Sequence, residues 1–483
     1  MRQSFVPPEN GDGNVDPQIC RERVNDTVAK LEACIQQAAL WRRLAHFQRI
    51  ANENPGSQGH PNRNTGTPGY RASVDYVAAL MRGAGYTVTI QQYLYKKADV
   101  VGTPEFRTAS RNYAIDRDWF VARGTGSGAV TAPLAPARGS GCAPSDFAGF
   151  TRGNVALIER GACDVDTQVA NARAAGAVAA VIYADAASGA NAYEARLLDP
   201  PGIPVVGVAA FGIGAELLRQ CGSGRAPIVH VDIRTRATSD LDYNVIADSP
   251  FGDSSHIVVI DAHLDSIYGA GMLDNASGST TMLEIALNLA KTPTRNRLRY
   301  IWFGGEEIGL LGSRYYTKNL TRSERRKIVF DVDADVTATP NFDILIADPQ
   351  YAAKVKRFPP NVVPESKIGN DYFSDFFKKG GIVSRPAWFG NNGTDSLSFA
   401  LAGVPNTGIL TQQDCCKHRW ETKLWGGFRG NYEGQIPSFN GGCVDRPHRW
   451  CDNLSNNDPF VLELASKATA YVTFKLANRH FAW

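Results

Sequence analysis

The sequence predicts an α/β protein, a three-layer, mostly parallel sheet flanked by helices, with a β-rich domain inserted into it. Three observations carry that expectation. Apolar runs such as His256–Asp261 (HIVVID) and Leu298–Phe303 (LRYIWF) are continuous rather than alternating, which marks strands buried on both faces. From Asp242 onward, strand-like and helix-like segments alternate, the pattern of a sheet with helices on both sides. Between about 119 and 235 the texture changes to short apolar runs separated by Gly/Ala-rich turns.

Taken in order, residues 1–40 read as a polar, helical arm. Trp41–Ile50 and Ser73–Met81 have helical spacing, and Tyr86–Tyr95 alternates like a strand. Residues 41–118 and 236–483 are assigned to one domain and 119–235 to the insertion, whose strands are Val155–Ile158, Val178–Tyr183 and Pro204–Val208. The main sheet resumes at Tyr243–Ala247 and continues through HIVVID. A helix is then expected from Asp274, with Met282, Leu283, Ile285, Ala286 and Leu289 on its apolar positions. Leu298–Phe303 is a second core strand. A long loop rich in glycine and aromatics runs from Gln412 to Cys443, and a helix over Pro459–Phe474 closes the chain.

At 483 residues the chain is too long for one core. Its 51 basic and 48 acidic residues are mixed, leaving a net charge of +3 and no nucleic-acid or anionic-membrane footprint. No apolar run reaches the length of a membrane span. The opening MRQSFVPPENGDGN has no apolar core, so a signal peptide is absent from this chain or already removed. Nine cysteines against four methionines suggest an oxidising compartment, so the protein is expected to be secreted, extracellular or periplasmic.

The chemistry is concentrated between His263 and Glu307. His263 and Asp265 follow the HIVVID strand at i and i+2, so an extended chain points them the same way. One can hold a metal while the other orients it. Asp274, at the expected helix start, is placed to reach the same metal. Glu306 and Glu307 follow the second core strand after Gly304-Gly305; adjacent residues diverge, so one acid can coordinate a metal while the other faces a water as general base. Buried strands do not usually end in several unpaired carboxylates, and imidazole with carboxylates at strand ends is the donor set of a hydrolytic zinc site.

The motifs H-x-D, D-N-x-S-G and G-x-E-E-x-G-L-x-G-S resemble those of the secreted di-zinc aminopeptidases of bacteria and fungi, the leucyl aminopeptidase and aminopeptidase Y type. Two further stretches are similar to that family: Val332-Asp333-Ala334-Asp335 ahead of Thr339-Pro340-Asn341, and His448, Cys451, Asp452, Asn453. The resemblance runs from about Trp41 to the C-terminus and includes the early TGTPGYRASVDYVAALMRGAGYTVTIQQY. The insertion resembles a protease-associated domain through Gly141-Cys142, Asp146-Phe147, Asn154–Ile158, Arg160-Gly161 and Ala174–Ala177; it carries no catalytic cluster, and a lid over the site and an inert decoration are equal readings of it.

The resemblance implies two Zn2+ ions. His263, Asp274 and Asp335 would hold one; Asp274, Glu307 and His448 would hold the other, with Asp274 bridging. Glu306 would be the general base, with Asp265 also in the catalytic set, and the substrates would be peptides or proteins with a free N-terminus. Cys443 and Cys451 bracket His448, and the family carries a similar disulfide. Cys20 and Cys34 flank one helix, Cys142 and Cys163 lie within the insertion, and the odd count leaves a thiol over or an unusual link among Cys221, Cys415 and Cys416.

Several positions depart from the family. Asp333 stands where Asn is common and so rivals Asp335 as ligand. Pro447 replaces a Tyr associated with the oxyanion, a role that Tyr268 or a backbone amide would have to fill. Thr394-Asp395-Ser396 replaces S-D-H. Loss of ligands would mark an inactive, receptor-like module on the same domains, and none is lost. Single-metal glutaminyl cyclases carry no such insertion, and folate-hydrolase-like carboxypeptidases add a helical domain for which nothing after Pro459 is long enough. His46, His230, His256 and His418 are assigned packing or loop roles. The sequons at Asn25, Asn275, Asn319, Asn392 and Asn453 are weak evidence of glycosylation, since one falls inside the proposed site.

Overall fold

The computed structural model describes residues 16–481 except 57, 58, 116, 161, 162, 164, 185–194, 196, 198–201, 210, 225, 356, 357, 389–392, 414, 415 and 434–450. Two compact units are formed, one by Met1–Tyr93 with Leu241–Trp483 and one by Leu94–Asp240. In chain order the strands among the described residues are β1 (Thr87–Thr108), β2 (Gly128–Pro136), β3 (Val155–Glu159), β4 (Ala179–Tyr183), β5 (Val205–Ala209), β6 (Ile228–Asp248), β7 (Asp253–His263), β8 (Asn296–Phe303), β9 (Ile328–Ala334), β10 (Leu345–Ala347), β11 (Arg385–Ala387) and β12 (Asn406–Leu410). The chain passes between units within β1 and β6.

In the first unit the strand order is β11-β10-β12-β9-β7-β8-β6. The centre is parallel: β7 pairs with both β8 and β9, and β9 with β12. The flanks bring in antiparallel pairs, β6 with β8 and β10 with β12. Both faces of the centre are covered, which explains the continuous apolar runs. Val258, Ile260, Ala262, Tyr300 and Trp302 enter one core together with the helices Gln37–Glu53, Ser277–Leu289 and Pro459–Ala477. Ile257, Val259, Ile301 and Phe303 enter another with Tyr316 and Phe399. Such doubly covered parallel strands expose their C-terminal ends in the loops above, where open α/β sheets carry their sites.

The expected helices at Trp41–Ile50 and Ser73–Met81 lie within Gln37–Glu53 and Pro68–Gly83; the latter has Pro68 in its first turn and Thr67 Oγ1 accepting from the Tyr70 N–H. Of the segment expected as an arm, the described residues 16–40 are packed. Leu31 and Ile35 are fully buried in the first unit's core, and a disulfide joins Cys20 to Cys34. Asn25 is also buried, its amide donating to the carbonyls of Cys20 (2.8 Å) and Asn288 (2.7 Å), which removes that sequon from the surface.

The second unit pairs β6 residues 228–233 antiparallel with β2, then runs parallel through β3, β4 and β5. The insertion expected over 119–235 falls within it. Its cores gather Leu134, Val155, Leu157 and Val181 on one side and Ala156, Ile158, Ala180 and Ile182 on the other. A disulfide joins Cys142 to Cys163. No helix among the described residues is long and apolar enough to cross a membrane.

Candidate metal centre

His263 ends β7 and Asp335 follows β9. The register that pairs Asp261 with Asp333 carries both residues to the same edge two positions later. His263 Nε2 lies 3.3 Å from Asp335 Oδ1 and 3.0 Å from Asp274 Oδ1. The three ligand atoms all fall within 4.8 Å of one another. His263 Nδ1 stands 3.0 Å from the main-chain carbonyl of Asp265; a carbonyl only accepts, so Nδ1 carries the proton and Nε2 is turned toward the acids. Burial opposes the charge on His263, but Asp335, with Asp265 and Asp274, overrides it and holds the imidazole well above its usual range.

The D-N-x-S-G motif explains how Asp274 reaches this point. The helix expected from Asp274 begins at Ser277; Asp274 and Asn275 have non-helical backbone and are joined by a cis peptide. Asn275 is the reason. Its Oδ1 accepts from the N–H groups of Gly278 (2.9 Å) and Val336 (3.1 Å), while its Nδ2 donates to the Ala334 carbonyl (2.9 Å). The side chain thus links the segment ahead of the helix to the end of β9. Ser277 adds a second link, accepting from the Thr337 N–H at 2.9 Å. Gly278 fits because a Cβ there would stand 1.9 Å from the Ala334 carbonyl oxygen.

The Glu306-Glu307 turn is held by Asp265. Oδ1 accepts the Glu306 N–H at 3.2 Å, Oδ2 accepts the Glu307 N–H at 3.3 Å and the Thr65 hydroxyl at 2.7 Å. The carboxylate Oδ1 is 3.6 Å from His263 Nδ1, so its main-chain carbonyl orients the ring more directly than its side chain does. Gly305, at φ 65°, makes the bend that lets two acids follow β8. Glu306 and Glu307 are both buried, 8 % and 4 % exposed.

Of the residues singled out in the sequence, His263, Asp274 and Asp335 form one group, with Asp265 behind it holding the turn of Glu306 and Glu307. His448, Pro447 and Cys443 lie outside the described residues. Cys416 and Cys451 are each engaged in a disulfide, and Cys221 is the free thiol among the described residues. Asp333, the rival to Asp335, points from β9 into the protein beside Asp261. There Asp261, Asp331, Asp333 and Asp395 make a buried row of acids. Burial raises all four carboxyls, Asp395 to about 7, and their proximity adds to this for the other three. Tyr268 is buried and Ser396 opens the helix Ser396–Leu401. His46 stacks on Tyr76, a packing role.

Sequence reasoning assigned no role to four residues that support the site. Arg63 is wholly buried and donates to the carbonyls of Leu264 (2.9 Å), Ala270 (2.8 Å) and Gly271 (2.9 Å). Asp452 accepts from the N–H groups of Leu273 and Asp274. Thr65 holds Asp265, and Gln413 donates to Asp274 Oδ2 at 2.9 Å. Thr65 and Asp452 sit in stretches that carried the resemblance. Arg63 and Gln413 had no local signal.

The donor set fits a divalent cation. Asp335 Oδ1, an imidazole nitrogen and a second carboxylate oxygen face the same point in a buried setting.

Comparison with known proteins identifies the family and the inserted domain. Residues 244–472 match the peptidase family M28 model and residues 130–215 match the PA domain. The chain is 31% identical over 479 residues to an aminopeptidase of Pseudomonas aeruginosa, spanning 95% of this chain and 85% of that protein. Its fold is similar to that of an aminopeptidase from Aneurinibacillus sp. strain AM-1, with TM-score 0.72, 19% identity and coverage of 94% and 97% of the two chains. It is also similar to that of a zinc aminopeptidase from Bacillus subtilis, with TM-score 0.62, 21% identity and coverage of 93% and 97%. The protein belongs to peptidase family M28, a peptide-bond hydrolase that carries a PA domain.

Proposed function

We propose that the protein is a secreted, zinc-dependent aminopeptidase that removes N-terminal residues from peptides. The observation that carries this reading is the convergence of His263 Nε2, Asp274 Oδ1 and Asp335 Oδ1 within 4.8 Å at the ends of two parallel core strands. These three would hold one zinc ion. Asp274, Glu307 and His448 would hold a second, with Asp274 shared. When bound, such a pair of cations acidifies water and polarises a carbonyl. The identity to the Pseudomonas aminopeptidase supports removal of N-terminal residues.

Glu306 is the general base in this reading. Its main chain is fixed by Asp265, and its side chain would take a proton from the attacking water and return it to the leaving amine. Asp265 acts through others: its main-chain carbonyl orients His263 and its carboxylate sets the Glu306–Glu307 turn. A free substrate α-amine, being cationic, would be met by acids at the site, Glu306 and Asp335 among them. The disulfides Cys20–Cys34 and Cys142–Cys163 support an oxidising, extracellular location.

The test is hydrolysis of a panel of aminoacyl chromogenic amides with zinc, with chelator, and with the Glu306→Gln variant. Expected is release from free-amine substrates alone, abolished by chelator and reduced at least 100-fold in the variant. Equal turnover of N-acetylated substrates, or an active Glu306→Gln variant, would overturn the reading.

A further inference from the structure

Asp274 presents its two oxygens in different directions. Oδ1 faces His263 Nε2 at 3.0 Å, and Oδ2 accepts from the side-chain amide of Gln413 at 2.9 Å. The torsion that orients a carboxylate plane is broad and roughly two-fold, so the plane is set by what the oxygens touch rather than by rotamer preference. On Oδ2 Gln413 makes such a contact.

Gln413 is held in place by its neighbours. It follows β12, whose end is joined to the segment beyond Asp335. The Thr411 N–H donates to the Val336 carbonyl at 2.8 Å, and its hydroxyl donates to the same carbonyl at 2.7 Å. The Thr339 N–H donates to Thr411 Oγ1 at 3.1 Å, and the Thr339 hydroxyl donates to the Gln412 carbonyl. Gln412 has φ 76°, a left-handed conformation that non-glycine residues adopt at a cost and that persists where surrounding contacts require it. The approach of the chain to Gln413 is therefore fixed through Thr411 and Gln412 by the segment that follows Asp335.

The chemistry of the contact is specific. A carboxylate oxygen has two lone pairs, so Oδ2 can accept one N–H and still present an electron pair to a cation. A neutral amide does this without competing charge. A lysine or arginine there would repel a cation, and an acid would repel Asp274. We infer that Gln413 is a positioning residue that sets the plane of the Asp274 carboxylate and thereby the affinity of the second zinc position, the one that Asp274 would share with Glu307. This rests on the two-zinc reading above, in which Asp274 is shared.

The experiment is a zinc titration of the full metal-free protein by calorimetry in a metal-buffered solution, for wild type, Gln413→Met and Gln413→Asn. Gln413→Met keeps the chain length and removes the donor. Gln413→Asn keeps the amide but withdraws it by about 1.5 Å, the length of one carbon–carbon bond. Both variants should bind the first zinc within a few-fold of wild type and the second about 10–100-fold more weakly, the usual effect of losing a hydrogen bond to a ligand. At limiting zinc, kcat should fall with KM unchanged, and excess zinc should restore it. Unchanged affinity for the second zinc in either folded variant overturns the role of Gln413. A wild-type protein that binds one zinc per chain overturns the two-zinc reading first, before any variant is compared.

Discussion

Asp452 fixes the backbone of Asp274. Its Oδ2 accepts the Asp274 N–H at 3.0 Å, and its Oδ1 accepts the adjacent Leu273 N–H at 2.7 Å. Asp452 is buried and distant in sequence, and it holds a segment that has left helical geometry and so lacks its own carbonyl partners there. Burial raises its carboxyl to about 7, against the effect of the two N–H groups it accepts.

Asp452→Ala should therefore leave two buried N–H groups without an acceptor, a loss of about 1–3 kcal/mol for each. Asp452→Asn retains one acceptor oxygen and should lose less. Thermal unfolding of both, alongside zinc affinity, checks this: the Ala variant should unfold at lower temperature and bind zinc about tenfold more weakly.

Arg63 saturates three carbonyls of the segment between His263 and Asp274 while wholly buried; burial lowers its pKa to about 10, so it remains charged at neutral pH. Arg63→Met fills similar space but supplies no donor. The expected cost is about 3 kcal/mol or more, read as a shift in the denaturant midpoint with little change in slope.

Gly278→Ala should push the helix Ser277–Leu289 away from β9, because the added methyl would overlap the Ala334 carbonyl at 1.9 Å. Overpacking of this kind costs about 1–3 kcal/mol. Asp274 and Asp335 flank the contact, so activity should fall further than stability does. A variant that retains wild-type kcat would show that the contact does not set the ligand spacing.

Asp242 gives a pH dependence. Burial, reinforced by the charge of Asp265, raises its carboxyl to about 8, although the Tyr93 hydroxyl at 2.9 Å works the other way. Below pH 4 folded and unfolded chains both hold this proton. Between about 4 and 8 only the folded chain does, so unfolding releases a proton and stability falls as pH rises, by about 1.4 kcal/mol per pH unit from this group. Asp242→Asn removes that slope. Its unfolding temperature should change less than that of wild type between pH 6 and pH 8.

The central strands β7 and β8 were legible in the sequence, because burial on both faces leaves an uninterrupted apolar run, whereas β2 and the short strands β10, β11 and β12 carried no such run and were not expected. The sequence also marked His263, Asp265, Asp274, Glu306 and Glu307, since acids and an imidazole at the ends of such runs have few structural uses. The start of the helix after Asp274 was misplaced by three residues. Its true boundary is set by Asn275 bonding to Val336, a contact made across 61 positions. The choice of Asp335 over Asp333 beside His263 likewise depended on strand register, which turns one acid to the ligand group and the other toward Asp261. Arg63, Asp452 and Gln413 show the same limit. Each acts by hydrogen bonds to backbone or carboxylate atoms far along the chain, and such partners exist only once the tertiary structure has brought them within 3 Å of one another.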